Sequence, residues 1–203
     1  MCAWIPAENL LGPEGGAHQV AQRRLGGGRI HHAMRTVATV KKAFDMMCER
    51  VISRQSHGKI IAEHQSVQNY IADSYAEIEQ FRLFVLYTAW LIDQKTTAGA
   101  RKEIAACKVE CARVLHDVVQ RAMHIHGALG VSNEMPLGGL WMLAPVMAIV
   151  DGPTEVHQVT IARQVLKAYR PAEGTFPSSW LPPRIDEAHA RFAEVLEDHV
   201  GNL

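Results

Sequence analysis

The apolar positions Ala33, Val37, Val40, Phe44, Met47 and Val51 recur every three or four residues, which lays one stripe along the side of an α-helix. The spacing predicts a first helix from about Arg29 to Ser53. Arg54-Gln55-Ser56-His57-Gly58-Lys59 breaks the period with a glycine and polar residues. A second stripe then runs through Val67, Ile71, Ser74, Ile78, Phe81, Val85, Thr88 and Ile92. After a turn expected at Thr96 to Ala100, a third runs through Ile104, Cys107, Cys111, Val114, Val118, Arg121 and Ile125. Gly127-Ala128-Leu129-Gly130 stops it, because glycine is a poor helix interior and a good C-terminal cap. The alternating four-three spacing is that of helices packed nearly antiparallel.

Shorter elements follow. Ser132 or Asn133 is placed to cap an apolar helix with Pro136 near its start and Pro145 inside. Asp151-Gly152-Pro153 reads as a sharp turn, and Thr154 with Glu155 opens a helix through Val159, Ala162, Val165 and Leu166. Pro171, Pro177, Pro182 and Pro183 indicate an extended arm, followed by an amphipathic charged helix from about Ile185 to Val200. The first 28 residues hold Gly12-Pro13-Glu14-Gly15-Gly16 and Gly26-Gly27-Gly28 and read as an irregular lead-in. Outside that lead-in no window alternates as a strand does. The expectation is an all-α, up-down helical bundle with three parts: a lead-in over 1–28, the bundle over 29–169, and an arm with a terminal helix over 170–203.

Composition narrows the function without naming it. A chain of 203 residues, 48% hydrophobic, buries a sizeable core in one or two domains, which sets aside disordered and fibrous classes. Its 21 Lys+Arg balance 21 Asp+Glu, so charge points neither to nucleic acid nor to a solvating tail. The apolar run Leu140 to Val150 is shorter than the roughly 20 residues of a membrane span, and no secretory signal is visible. Cysteines at 2, 48, 107 and 111 form no CxxC pair, which fits free thiols in a reducing, intracellular setting.

Eleven histidines make metal binding the first chemistry to weigh. A di-iron bundle needs Glu-x-x-His on two helices, and no Glu here has a His three residues later. Cys107 and Cys111 share a face, but with Ile104 and Val114, where small core residues are the simpler reading. His124-Ile125-His126 puts its imidazoles on different sides of a helix. Asp151-Gly152-Pro153-Thr154-Glu155 offers a carboxylate beside the amides of a helix N-terminus, a potential phosphate site or simply a capped turn. Arg54 to Lys59 is equally a phosphate contact or a solvated linker.

Taken together, these segments resemble a family. Gly28-Arg29-Ile30, Arg54-Gln55-Ser56-His57-Gly58-Lys59 with Glu63-His64-Gln65, His126-Gly127-Ala128-Leu129-Gly130, and Asp151-Gly152-Pro153-Thr154-Glu155-Val156-His157 with Ala162-Arg163 match the C-terminal helical domain of the acyl-CoA dehydrogenases in order and spacing. There the elements read approximately G-R, E-R-x-x-F-G-x-x-L-x-x-x-Q, Q-x-x-G-G-x-G and Y-E-G-T-x-x-I-Q. The resemblance spans about Glu8 to Tyr169. Pro6-Ala7-Glu8-Asn9-Leu10-Leu11 looks like the last strand region of the family's middle β domain. The Asp-Gly-Pro turn with Glu77-Ile78-Glu79-Gln80 looks most like the subgroup of family members ten and eleven.

The resemblance implies an FAD enzyme in which a carboxylate takes the α-proton of an acyl-CoA and the β-hydrogen leaves as hydride, giving a 2-enoyl-CoA, with a role in fatty-acid β-oxidation. It makes Asp151 the base, one methylene shorter than the usual Glu. It places Gly152 against the thioester and Arg29 near the carboxylate and acyl-CoA. It assigns Arg54, Gln55, Ser56, His64 and Gln65 to the phosphates and adenosine side of FAD, and His124, Ile125, His126, Gly127 and Ala128 to FAD across a subunit interface. Thr154, Glu155 and Val156 open the helix whose amides face the flavin. His57 stands where the family has an aromatic, His124 where it has glutamine, and Ala128 where it has a second glycine.

A homo-oligomer, dimer or tetramer, follows from the resemblance, as does an electron-transfer flavoprotein as candidate electron acceptor. The implied location is cytoplasmic, or mitochondrial or peroxisomal in a eukaryote. Because family members carry two further domains, the chain is expected to be a fragment, a truncated product or one partner of a split enzyme. The rival readings are a non-catalytic oligomerisation or partner-binding module and, less supported, a histidine-rich metal protein.

Overall fold

The computed structural model describes residues 4–172 and 181–200. Its helices are α1 (Ala17–Ser53), α2 (Gln65–Gly99), α3 (Arg101–His126), α4 (Ala128–Val131), α5 (Leu137–Ile149), α6 (Thr154–Leu166), α7 (Leu181–Arg191) and α8 (Ala193–Val200). The chain divides into two units, residues 1–164 and 165–203. In the first, α1, α2 and α3 pack on one another as an up-down bundle and α5 closes against α3. The all-α expectation holds.

The predicted stripes supply the core. Ala33, Val40 and Met47 of α1 meet Ile78, Phe81 and Val85 of α2 around Cys107, Cys111, Val114 and Val118 of α3, with Leu137, Ala144 and Met147 of α5 completing the cluster. The two α3 cysteines sit at the bundle's centre as thiols. Burial pushes Cys107 up to about 12 and Cys111 up to about 11, although the Thr88 hydroxyl, 3.3 Å from the Cys107 Sγ, pulls the other way. Arg121, read as part of the α3 stripe, instead turns to α2 and pairs with both carboxylate oxygens of Glu77, at 2.9 and 3.0 Å.

Several boundaries differ from expectation. α1 begins at Ala17, not near Arg29, and carries Gly26-Gly27-Gly28 inside it. Glycine in a helix interior costs about 1 kcal/mol relative to alanine, but at Gly28 a Cβ would stand 2.7 Å from the Asp151 carboxylate, so close approach requires it. The segment expected to be the end of a strand holds a 3₁₀ turn at Ala7–Asn9. A small hairpin, β1 (Gln55–Ser56) and β2 (Lys59–Ile60), joins α1 to α2. His57 and Gly58 at its tip both have positive φ, 50° and 77°, the condition for a type I′ turn. No alternation could announce strands of two residues.

The turn expected at Thr96 is a kink: Thr96 adopts φ 68°, ψ 169° inside α2, an unusual conformation for a β-branched residue. Ser132 does not cap α5. Its hydroxyl donates to the Leu129 carbonyl at the end of α4, and Pro136 precedes the first residue of α5. The proline-rich arm falls mostly on 173–180, outside the described residues. In the second unit the terminal helix starts at Leu181, with Pro182 and Pro183 in its first turn, where no amide partner is lost. α7 and α8 are separated only at Phe192, whose amide still donates to Ala188 O at 3.0 Å.

Leu115 of α3 is 1% exposed. Leu115→Ala is expected to lower stability by about 2–5 kcal/mol in a denaturant titration. Leu86→Ala, at a position 55% exposed, should change it by less than about 0.5 kcal/mol.

Candidate functional site

The α5–α6 turn is the most tightly specified backbone in the bundle. α5 ends where the Val150 amide donates to Val146 O at 2.9 Å, after which Asp151 and Gly152 take φ values of 55° and 112°. Aspartate tolerates the left-handed region better than most residues, and glycine occupies it without penalty. Helix C-termini leave carbonyls without partners, and here side chains take them up. Lys108 Nζ donates to Met147 O, and Thr154 Oγ1 donates to Ala148 O at 3.3 Å. Arg29 Nε donates to the Asp151 carbonyl at 2.9 Å.

α1 supplies a second hold. Arg29 and His32 are three residues apart and so share a helix face. His32 Nε2 lies 3.3 Å from Asp151 Oδ2, the same oxygen that approaches Gly28. His157 of α6 is buried beneath Gly152, where a Cβ would come within 3.1 Å of its Nε2. The carboxylate therefore stands among Arg29, Lys108, His32 and His157.

The electrostatics follow from burial. Lys108 is 1% exposed, and desolvation pulls its pKa down, opposed by Cys111 and Asp151 and reinforced by Arg29. Burial also lowers Arg29, against the attraction of Asp151 and with the repulsion of Arg101, but a guanidinium stays charged. His157 is pushed below its ordinary value by burial, then by the charges of Arg29 and Lys108, while backbone groups of Asp151 and Gly152 pull upward. It is neutral at pH 7. A cavity of about 560 Å³ opens beside the turn, lined in part by Arg29, Val156 and His157 with Arg23, Thr97 and Arg101.

The other expected site residues fall into two groups. Arg54 follows the last residue of α1, Gln55 and Ser56 form β1, and His64 and Gln65 open α2. His124 and Ile125 lie on the last turn of α3, where His124 is tilted against Tyr70 of α2 with ring centroids 6.3 Å apart. Gly127, with φ 63°, and Ala128 make the α3–α4 corner. His126 points inward: it is 7% exposed and its Nδ1 lies 2.8 Å from Ala122 O, so its ring is not offered to a ligand. This end of the bundle is about 38 Å along α1 from Arg29, at 1.5 Å per residue. Thr154, Glu155 and Val156 belong instead beside Asp151. There the Val156 amide is already used by Pro153 O at 3.1 Å.

Two of the residues around Asp151 escaped the sequence reading, and a third, His157, was read in the Asp151 motif without a role. His32 had a usable signal, its helical spacing from Arg29. Lys108 is a single cation within the apolar run of α3. Among the described residues no group of three or more His, Cys, Asp or Glu is placed to hold a metal ion. Among the described residues no single helix is long and apolar enough to cross a membrane, although α5 and α6 pass that test as a pair bent by 51°.

Comparison with known proteins identifies the family of the chain. The family model described as acyl-CoA dehydrogenase, C-terminal domain, matches residues 15–166. The acyl-CoA dehydrogenase FadE2 of Mycobacterium tuberculosis is 46% identical over 162 residues, 80% of this chain and 40% of that protein. Human acyl-CoA dehydrogenase family member 11 is 40% identical over 163 residues, 80% of this chain and 21% of its own length. Butyryl-CoA dehydrogenase from Megasphaera elsdenii superposes with a TM-score of 0.73 at 29% identity, over 80% of this chain and 42% of that one. The chain belongs to the acyl-CoA dehydrogenase family and has the fold of its C-terminal helical domain. It is similar to the subgroup of members ten and eleven, and it spans less than half the length of these relatives.

The His157 environment predicts a pH dependence. The unfolded chain binds a proton near the ordinary value of 6.5, whereas the fold disfavours it. The contribution is therefore intact above about pH 6.5 and is lost as pH falls towards the lowered folded value. In denaturation curves between pH 7.5 and 5, His157→Gln is expected to lose less stability than the wild-type chain.

Proposed function

We propose that the chain is the C-terminal portion of a flavin-dependent acyl-CoA dehydrogenase and that Asp151 is its base. The supporting observation is a carboxylate on a left-handed turn whose backbone carbonyl accepts from Arg29, a residue that, with His157, lines a cavity. In the reaction the α-C–H bond of an acyl-CoA thioester breaks, its proton passes to the Asp151 carboxylate, and a hydride leaves the β-carbon, giving the 2-enoyl-CoA. A positioned base contributes about 10²–10⁴-fold to such a proton transfer. Gly152 keeps a side chain out of the turn, where a Cβ would stand 3.1 Å from His157 Nε2, and is the residue that would lie against the thioester.

FAD, when bound, supplies the acceptor for the hydride. The residues suit it. Arg54, Gln55 and Gln65 are exposed, Ser56 and His64 half-buried, and among the described residues the Arg54 guanidinium has no ion pair or hydrogen bond of its own. A free cation with amide, hydroxyl and imidazole donors around it matches a pyrophosphate. Beside the base, the Thr154 and Glu155 amides at the start of α6 are the donors left for the flavin.

The two groups of flavin residues lie about 38 Å apart along α1, at 1.5 Å per residue, which supports a flavin shared between copies of the chain. So does the apolar surface of α5, where Met142, Val146 and Ile149 are exposed. We infer a homo-oligomer, with electrons passing onward to an electron-transfer flavoprotein.

Two substitutions in the flavin-loaded assembly test this. Asp151→Asn is expected to slow acyl-CoA-dependent bleaching of the flavin spectrum by about 10²-fold or more while flavin content stays nearly constant. Unchanged bleaching removes Asp151 as the base. Arg54→Ala should weaken flavin retention by about 10-fold or more, the loss of one charge-assisted hydrogen bond; full occupancy would make the hairpin only a connector.

A further inference from the structure

Asp151 has two carboxylate oxygens, and the structure treats them differently. Oδ2 faces α1: His32 Nε2 is 3.3 Å away, and the helix approaches so closely at Gly28 that a Cβ there would stand 2.7 Å from it. The Asp151 and His32 side chains are 15% and 19% exposed. His32 Nδ1 is buried with no hydrogen-bond partner, so Asp151 is the polar contact that the ring has. A neutral imidazole carries its proton on one nitrogen. Nε2 lies 3.3 Å from a carboxylate oxygen: a lone pair there would be repelled by the lone pairs of that oxygen, whereas an N–H is attracted.

We propose that His32 is a positioning residue for Asp151, donating from Nε2–H to Oδ2 so that Oδ1 is the oxygen that receives the substrate proton. The inference rests on the reading of Asp151 as the base. The shorter aspartate arm has few rotamers, and a base displaced by about 1 Å can lose 10²-fold in rate. Arg29 fixes the backbone of the turn and His32 fixes the carboxylate plane, both from one face of α1. Proton transfer then forms the Oδ1–H bond while the imidazole keeps its own proton.

Two measurements test the proposal. In long-range proton–nitrogen spectra of the flavin-free chain labelled at histidine, His32 is identified by its loss in His32→Gln. It should be the Nε2–H tautomer at pH 7.5, and its Nε2 resonance should move in Asp151→Asn. An Nδ1–H tautomer, or a resonance indifferent to Asp151→Asn, overturns the contact.

In the flavin-loaded assembly, His32→Leu should slow flavin reduction about 10-fold or more with KM for acyl-CoA and flavin content nearly unchanged. His32→Gln, which keeps an N–H at similar reach, should restore most of the rate. Equal loss in both variants, or no loss in His32→Leu, overturns the positioning role. If Asp151→Asn reduces its flavin normally, the base assignment fails and the role of His32 falls with it. If Asp151→Asn is inactive and His32→Leu is not, only the role of His32 falls.

Discussion

The contact between α1 and the α5–α6 turn is the constraint around which this bundle is arranged. A carboxylate on a left-handed turn does not hold its place unaided, because residues other than glycine visit that conformation at a cost. Here Arg29 binds the Asp151 carbonyl, and Gly28 lets the helix come against the carboxylate. That approach explains the last of the three consecutive glycines in α1. The intrinsic helix penalty at Gly28 is offset by a contact that any larger residue would obstruct.

From that contact the rest follows inward. α3 is enclosed by α1, α2 and α5, and its cysteines serve as small core side chains whose thiols burial keeps protonated. Lys108 is the exception in that interior. A buried ammonium is costly unless it is paired and hydrogen-bonded. It is accommodated by the Met147 carbonyl and by the negative charge of Asp151, so α3 ties together the end of α5 and the charge of the turn.

The opposite end of the bundle is built on another principle. The hairpin and the start of α2 leave Arg54, Gln55 and Gln65 exposed to solvent. The chain belongs to the acyl-CoA dehydrogenase family and spans less than half the length of the relatives compared.

Much of this was written in the chain. Three- and four-residue spacing located the three long helices and most of their buried faces, because a helix exposes its period directly in the order of its side chains. The Asp151-Gly152-Pro153 turn, Arg29 and the Arg54 hairpin segment were visible as motifs for the same reason: each is local. The start of α1 was not, since glycines that break an isolated helix are tolerated when a neighbour fills the space. Nor were the two-residue strands, the inward turn of His126, or the gathering of His32, Lys108 and His157 around Asp151. Those residues are separated by up to 125 positions in the chain, and only the packing of α1, α3 and α6 against one turn makes them neighbours. Sequence by itself determined which segments are helical and which residues carry charge. Tertiary structure decided which charges meet, because burial and close approach depend on surfaces that no single segment contains.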